Sequence, residues 1–257
     1  MAHCWKLSRN YMLVETEKGS NKVASRHPET EWLDELPAQD PRALASREDL
    51  QRINALMRHV PLLVEAWRKS EPDRWIQTIV ELGAGDGTFL LKFARAIAPK
   101  SRPYKVILLD RVNLVQPGTL ENFRQLGWQA EVVTADAFEW LAQSQITEAA
   151  FLCNLFLHHF DDDRLQLLLR HLALRANLLI ALEPRRSALP LVCTKLLGLI
   201  GCNDVTQHDA VISVRAGFLG KELAALWPKR GWYVQEAEAG LFSHCFTAQR
   251  FTETGKG

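Results

Sequence analysis

From about residue 75 onward, short runs of nearly continuous apolar residues alternate with stretches whose apolar positions return every three or four residues. Runs such as Val106-Ile107-Leu108-Leu109 and Leu178-Leu179-Ile180-Ala181 suit strands buried on both faces of a parallel sheet. The pattern predicts strands over 76–82, 104–109, 129–134, 149–155 and 177–183, with helices over 87–98, 116–126, 136–143 and 161–175 between them. A long insertion follows, then a helix over 219–229 and two strands, 232–239 and 243–250, with no helix between. The last two should pair antiparallel through the turn near Gly240. The fold class is therefore α/β: a three-layer, mostly parallel seven-stranded Rossmann-like sheet with an antiparallel last strand.

Ahead of this alternation, Ser46-Arg47-Glu48-Asp49 reads as a helix cap with its box partner at Asp49. Leu50, Ile53, Leu56, Met57, Val60 and Leu63 then recur at helical spacing as far as Trp67, and Glu71-Pro72-Asp73 ends the run. Residues 1–45 are polar and broken by Pro28, Pro37 and Pro41, which predicts an extended or poorly ordered segment. The organisation expected is thus 1–45 loose, 46–72 a helical cap, and 73–257 one domain with a lid insertion at 185–218.

The densest chemistry lies at Val80-Glu81-Leu82-Gly83-Ala84-Gly85-Asp86-Gly87-Thr88-Phe89. A strand, a glycine-rich turn and a helix start allow backbone to approach a ligand and leave free N–H groups for it. The spacing is G-x-G-x-G, whereas dinucleotide sites want G-x-G-x-x-G. Glu81 and Asp86 would repel a pyrophosphate and attract an ammonium and a sulfonium. S-adenosyl-L-methionine carries both.

In an open parallel sheet the ligand lies outside the carboxyl ends of the strands, so the strand-end residues matter most. The second strand ends in Asp110, suited to two ribose hydroxyls. The third leads to Asp136, Ala137 and Phe138, where Asp136 either accepts from an adenine amino group or caps the next helix. Arg111 either meets a 2′-phosphate or is a solvated charge. The fourth runs into Asn154-Leu155-Phe156-Leu157-His158-His159-Phe160.

Over roughly 76–250 these motifs resemble class I S-adenosylmethionine-dependent methyltransferases in order and spacing, and the two closing strands resemble that family's reversed final hairpin. The resemblance implies that Glu81, Gly83, Gly85, Asp86 and Gly87 serve the methionine part. It also implies that Asp110 and Arg111 lie at the ribose, Asp136 and Ala137 at the adenine, and Asn154 and Leu155 beside the sulfonium, with S-adenosyl-L-homocysteine as product. Asp49-Leu50-Gln51-Arg52-Ile53-Asn54, the 156–160 segment and His208-Asp209-Ala210-Val211-Ile212-Ser213-Val214-Arg215 further resemble small-molecule methyltransferases encoded beside bacterial type III polyketide synthases. Many such relatives carry Asp early in the fourth strand, where this chain has Ala149-Ala150. The implied acceptor is small, hydrophobic and phenolic or polyketide-like, with O-methylation favoured over C-methylation. That places the chain in secondary metabolism.

A phenolic acceptor would benefit from a base, and His158, His159 and His208 are the candidates. Each could equally be a packing residue. The apolar stretch Ala188 to Ile200 is too short to span a bilayer and reads as a lid helix that lines an acceptor pocket together with the 48–67 helix, or as a dimer surface or plain core. With a formal net charge of +1 over 257 residues, no basic field is available for nucleic acid, and no run suits a transmembrane segment. The five cysteines are scattered without C-x-x-C pairs, which predicts reduced cytoplasmic thiols and no metal site; the chain is expected as a monomer or homodimer. The competing readings are an NAD(P)-dependent oxidoreductase and a catalytically inactive methyltransferase-like binding protein.

Overall fold

The computed structural model describes residues 25–71, 76–98 and 102–251. Seven strands, β1 (Thr78–Leu82), β2 (Lys105–Asp110), β3 (Gln129–Thr134), β4 (Ala149–Asn154), β5 (Ala176–Pro184), β6 (Trp232–Ala239) and β7 (Ser243–Arg250), form one sheet in the order β3-β2-β1-β4-β5-β7-β6. The pairs among β1 to β5 are parallel, and β7 runs antiparallel to both β5 and β6. The predicted hairpin is therefore present, with the reversed strand inserted between β5 and the edge strand β6. A dinucleotide-binding sheet keeps its sixth strand parallel, so this topology departs from it at β7.

The period of two along the strands sorts the core into two layers. Val80, Leu82, Ile107, Leu109, Phe151 and Cys153 face one cluster, together with Leu141, Leu165, Leu168, Leu172 and Trp227. Ile79, Val106, Leu108, Ala150 and Leu152 face the other, with Trp67, Leu90, Phe93, Ile97 and Phe123. Helices α3 (His59–Lys69), α4 (Thr88–Ile97) and α5 (Pro117–Gln125) therefore cover one face, and α6 (Ala137–Gln143), α7 (Asp162–Arg175) and α10 (Glu222–Leu226) the other.

A third group of helices stands above the carboxyl ends of the strands: α1 (Trp32–Glu35), α2 (Pro41–Leu56), α8 (Ala188–Thr194) and α9 (Asp204–Ala216). Here the sequence reading needs correction. Helix α2 begins five residues before Ser46, because Asp40 accepts the Arg42 N–H and Pro41 occupies the first helical position. Ser46 and Asp49 are buried in the helix instead. The Thr206 hydroxyl lies 2.9 Å from both Ser46 Oγ and Asp49 Oδ2, and Asp49 also accepts the Asn203 N–H at 2.8 Å. The expected single helix to Trp67 breaks at Arg58, whose φ is +58°, and α3 starts anew. Of the segment 1–45, expected to be loose, residues 1–24 lie outside the described ones. Residues 25–45 carry α1 and the start of α2 and pack on the rest of the molecule.

Helix α3 is tied to the sheet through His59, which is buried. Its Nδ1 donates to Asn154 Oδ1 at 2.6 Å and its Nε2 lies 2.8 Å from the Ser243 hydroxyl. Burial pushes its pKa down to about 4, against the hydrogen bond to Asn154. The sign of the stability effect follows. Between the unfolded value of about 6.5 and the folded one, the unfolded chain binds the extra proton. Stability from this group is therefore complete above about pH 6.5 and falls as the pH drops toward 4, by about 3 kcal/mol in all. Urea unfolding at about pH 7 and about pH 4.5 should show a smaller pH-dependent loss in His59→Gln than in the unaltered protein. Equal losses would refute the assignment.

Candidate functional site

Strands β1, β2, β3 and β4 end on one cavity of about 1200 Å³. Glu81, Gly83, Gly85, Asp86, Asp110, Arg111, Asp136, Ala137, Asn154, Leu155, His158 and His159 all line it. Two predicted site residues do not. Gly87 is the left-handed residue that opens α4, and a Cβ there would meet Leu108 at 2.9 Å. His208 is stacked on Trp32 with ring centroids 3.7 Å apart. Its Nδ1 lies 2.9 Å from Asp209 Oδ1, but the pair holds α1 in place rather than facing the cavity, which corrects its expected role as a base.

The glycine-loop end of the cavity is acidic. Glu81 is buried, and its Oε2 has no hydrogen-bond partner. Burial, reinforced by Asp86 and Asp110, pushes its carboxyl well above the usual range. Gly85 has φ +53°, and a Cβ added there would meet nothing within 4 Å, so the loop leaves its backbone open. The Gly85 N–H donates to Asp110 Oδ2 at 2.8 Å, and the Val112 N–H to Asp110 Oδ1 at 3.1 Å. These bonds fix the carboxylate while each oxygen keeps a further lone pair. Asp86 accepts from Thr88 N–H and Gln51 Nε2. Arg111 pairs with Asp34 at 3.4 Å.

Asp136 does cap α6, yet only through Oδ1, which accepts the Phe138 and Glu139 N–H groups at 2.8 and 3.2 Å. The two roles foreseen for it are compatible, since Oδ2 remains. Asn154 is held by His59 and donates to Asn54 Oδ1 at 3.2 Å. Leu155 takes φ +54°, an uncommon conformation for a leucine, while its N–H donates to the Leu182 carbonyl at 2.8 Å.

At the other end, the turn after β4 wraps around Glu183, a residue the sequence reading passed over. Glu183 is wholly buried at the end of β5. It accepts the Phe156, Leu157 and His158 N–H groups and His158 Nδ1, the last at 2.8 Å. Burial raises its pKa, but His158 and the Leu157 and Phe156 amides outweigh this and hold it below the usual carboxylate range. The signal was present: a lone Glu closing an otherwise apolar strand must be paired.

A strap formed by residues 25–38 closes this end. The Arg26 guanidinium lies over the Phe218 ring and reaches the Ala216 and Phe160 carbonyls and Asp162. Asp209 accepts the Trp32 and Leu33 N–H groups at 2.9 and 3.0 Å. Glu31 points inward, 3.4 Å from both His158 Nε2 and His159 Nε2. Burial disfavours its charge, but the two imidazoles hold its carboxyl far below the usual range. His159 Nδ1 donates to the Phe156 carbonyl at 3.0 Å. Burial lowers its pKa, but Glu31, Asp34 and that carbonyl raise it to about 9.

The Ala188–Ile200 stretch is another correction. None of its residues lines the cavity. Leu189, Val192, Leu196, Leu199 and Ile200 are exposed, and this end of the cavity is walled instead by the strap, Leu50, Gln51, Asn54 and Ser213. Among the described residues no helix is long and apolar enough to cross a membrane.

No protein-family profile and no curated protein matches the sequence. Solved structures do match in shape. The plantazolicin methyltransferase BamL, solved with a triazolic desmethylPZN analogue and SAH, is 10% identical with a TM-score of 0.59, over 82% of this chain and 92% of that one. An O-methyltransferase family protein from Burkholderia thailandensis is 18% identical with a TM-score of 0.53, over 84% of this chain and 62% of that one. A putative O-methyltransferase from Nostoc punctiforme PCC 73102 is 15% identical with a TM-score of 0.53, over 82% and 62%. This chain thus spans less than two thirds of the latter two. At such identities the likeness shows architecture: the chain has the Rossmann-like fold of the class I methyltransferases.

Proposed function

We propose that the protein is an S-adenosyl-L-methionine-dependent methyltransferase acting on a small, largely apolar hydroxyl compound, phenolic or polyketide-like. The observation that carries this reading is the buried Glu81 carboxylate, which lines the cavity beside Asp86 and Asp110 and has an oxygen without a partner. Such a site calls for a cation. The donor's ammonium would meet Glu81 and so stabilise its ionised form, and its ribose would meet the free lone pairs of Asp110. Its adenine amino group would donate to Asp136 Oδ2, and the Ala137 N–H would face a ring nitrogen. The open Gly85 backbone and the N–H groups at the start of α4 suit its carboxylate. A dinucleotide would instead place its pyrophosphate among three acidic groups.

The donor supplies an electrophilic methyl group. The protein's part is to align an acceptor oxygen with it and keep water out. Leu155, Phe156 and Asn154 stand between the two ends of the cavity, and the strap covers the acceptor end. His158 is the best placed of the three histidines to act on the acceptor's hydroxyl. Glu183 holds its Nδ1 proton, and its buried Nε2 has no hydrogen-bond partner. In this reading His159 and His208 are positioning residues, the first holding Glu31 and the second holding α1.

Calorimetry should show S-adenosyl-L-homocysteine binding, and radiolabelled donor should methylate members of a panel of phenols. Tighter binding of NADH than of the homocysteine product would sink the proposal. Donor binding without turnover on any member would favour the inactive-binder alternative.

Gly85→Val should reduce affinity for the homocysteine product more than tenfold, because its side chain enters the space the ligand needs. Its left-handed backbone adds about 1–2 kcal/mol of strain, so the unfolding midpoint is to be measured alongside. Unchanged affinity in a folded variant would remove Gly85 from the site.

Arg26→Ala should separate the two ends. Losing the strap's anchor on Phe160, Ala216 and Asp162 should raise the KM for the acceptor several-fold while the affinity for S-adenosyl-L-homocysteine changes less than twofold. Steady-state kinetics paired with calorimetry reads both. Equal losses at the two ends would show that the strap does not define an acceptor compartment.

A further inference from the structure

The acceptor end of the cavity contains more than a base requires. Glu31, His158 and His159 each offer a ligand atom, and these atoms lie within 4.8 Å of one another on the cavity wall. Each is held from behind. Glu183 Oε2 fixes the proton of His158 on Nδ1 at 2.8 Å, so its free lone pair is on Nε2, buried and without a hydrogen-bond partner. The Phe156 carbonyl holds the Nδ1 proton of His159 at 3.0 Å, so Nε2 is the nitrogen left to a metal ion, which would displace the proton that Glu31 favours there. The Ser213 hydroxyl donates to Glu31. A carboxylate or carbonyl behind each imidazole is the support that aims the opposite nitrogen at a metal ion.

The spacing agrees. Bonds of about 2.0–2.1 Å at near-tetrahedral angles set neighbouring ligand atoms about 3.4 Å apart. Glu31 Oε1 lies 3.4 Å from His158 Nε2 and Glu31 Oε2 lies 3.4 Å from His159 Nε2, so the carboxylate presents one oxygen to each imidazole. These distances are long for hydrogen bonds between such groups. The two imidazoles come from consecutive residues in a single tight turn, Leu157–His159, so Glu183 and the turn itself preset their relation. Asp34 lies close enough to act electrostatically on both His159 and Glu31, which adds to the negative surroundings.

We propose that Glu31, His158 and His159 form a site for one divalent cation of the zinc type, with its remaining coordination position open to the cavity. Two imidazoles and one carboxylate suit zinc, iron(II), cobalt(II) or nickel(II) better than calcium or magnesium, which take oxygen ligands. Three protein ligands with an open position are the arrangement of catalytic rather than structural zinc sites. The binding of the ion stands on this geometry alone. Its role rests on the methyl-transfer reading: with the acceptor's oxygen in the open position, the ion would lower the pKa of that hydroxyl, whose proton would leave to solvent as the acceptor binds, before the oxygen takes the methyl group and S-adenosyl-L-homocysteine is released. The ion then stands where His158 Nε2 would otherwise meet the hydroxyl directly. Because Glu31 belongs to the strap, the ion would also bind the strap to the turn after β4.

The test uses the full chain, freed of any affinity tag and stripped with a chelator, then titrated with cobalt(II) and zinc(II). One equivalent of cobalt should produce visible ligand-field bands that zinc abolishes. Glu31→Gln and His159→Gln should each weaken zinc binding at least about 100-fold. X-ray absorption at the zinc edge of the unaltered protein should show two imidazoles, oxygen and no sulfur. This last readout does not depend on the folding of any variant. Absence of stoichiometric binding would overturn the proposal and leave the cluster as an ion pair between Glu31 and His159. Sulfur in the coordination shell, or unchanged affinity in folded variants of both residues, would overturn it as well. Calorimetry of S-adenosyl-L-homocysteine on the same samples separates the two readings. Product bound without metal refutes the cation site alone, and metal bound without product refutes the donor assignment alone.

Discussion

The Glu183 carboxylate organises the histidine-lined end of the cavity. It sits at the end of β5 with no solvent to stabilise its charge, and an unpaired carboxylate there would cost several kcal/mol. The chain meets the demand with three consecutive backbone N–H groups and an imidazole. Satisfying Glu183 forces the backbone after β4 to turn tightly, and Leu155 adopts its left-handed conformation at the entry to that turn. The turn then delivers His158 and His159 to one wall, and these receive Glu31 from the strap. One buried charge thus fixes the turn, the histidines and the closure above them.

The glycine-loop end of the cavity depends on the opposite condition. Glu81 is equally buried but finds no protein donor for one oxygen. The same residue type, at the ends of strands two places apart in the sheet, is satisfied in one case and left wanting in the other. Between them lies β4, whose end carries Asn154 toward the helices and whose following residues line both compartments. This division gives one cavity an acidic end and a histidine-lined end.

The central strands β1, β2, β4 and β5 were legible because burial on both faces leaves nearly pure apolar runs. The boundaries of β3, β6 and β7 match the reading from periodicity to the residue. The donor-side residues were legible because they follow strand ends directly, within a few positions of a recognisable pattern. What escaped depends on contacts distant in sequence. Asp49 resembles a capping residue, yet it is consumed by Asn203 and Thr206, more than 150 positions away. Glu31 lies in a segment without periodicity, and only Ser213 and the paired histidines give it a place. Ala188–Ile200 misled because apolarity does not say which face is covered. The chain leaves it outside while α9, a more polar helix, faces the strap.

Arg58, at φ +58°, separates two helices that a continuous stripe would have merged. Helix α3 below it buries Leu63, Val64 and Trp67 in the core. Helix α2 above it buries only Ala43, Ser46 and Asp49, the last two against α9. The break therefore decouples two kinds of selection. Leu50 lines the cavity yet belongs to neither core cluster, so it can be exchanged without disturbing the packing that holds the sheet, whereas Gln51 and Asn54 are tied to Asp86 and Asn154.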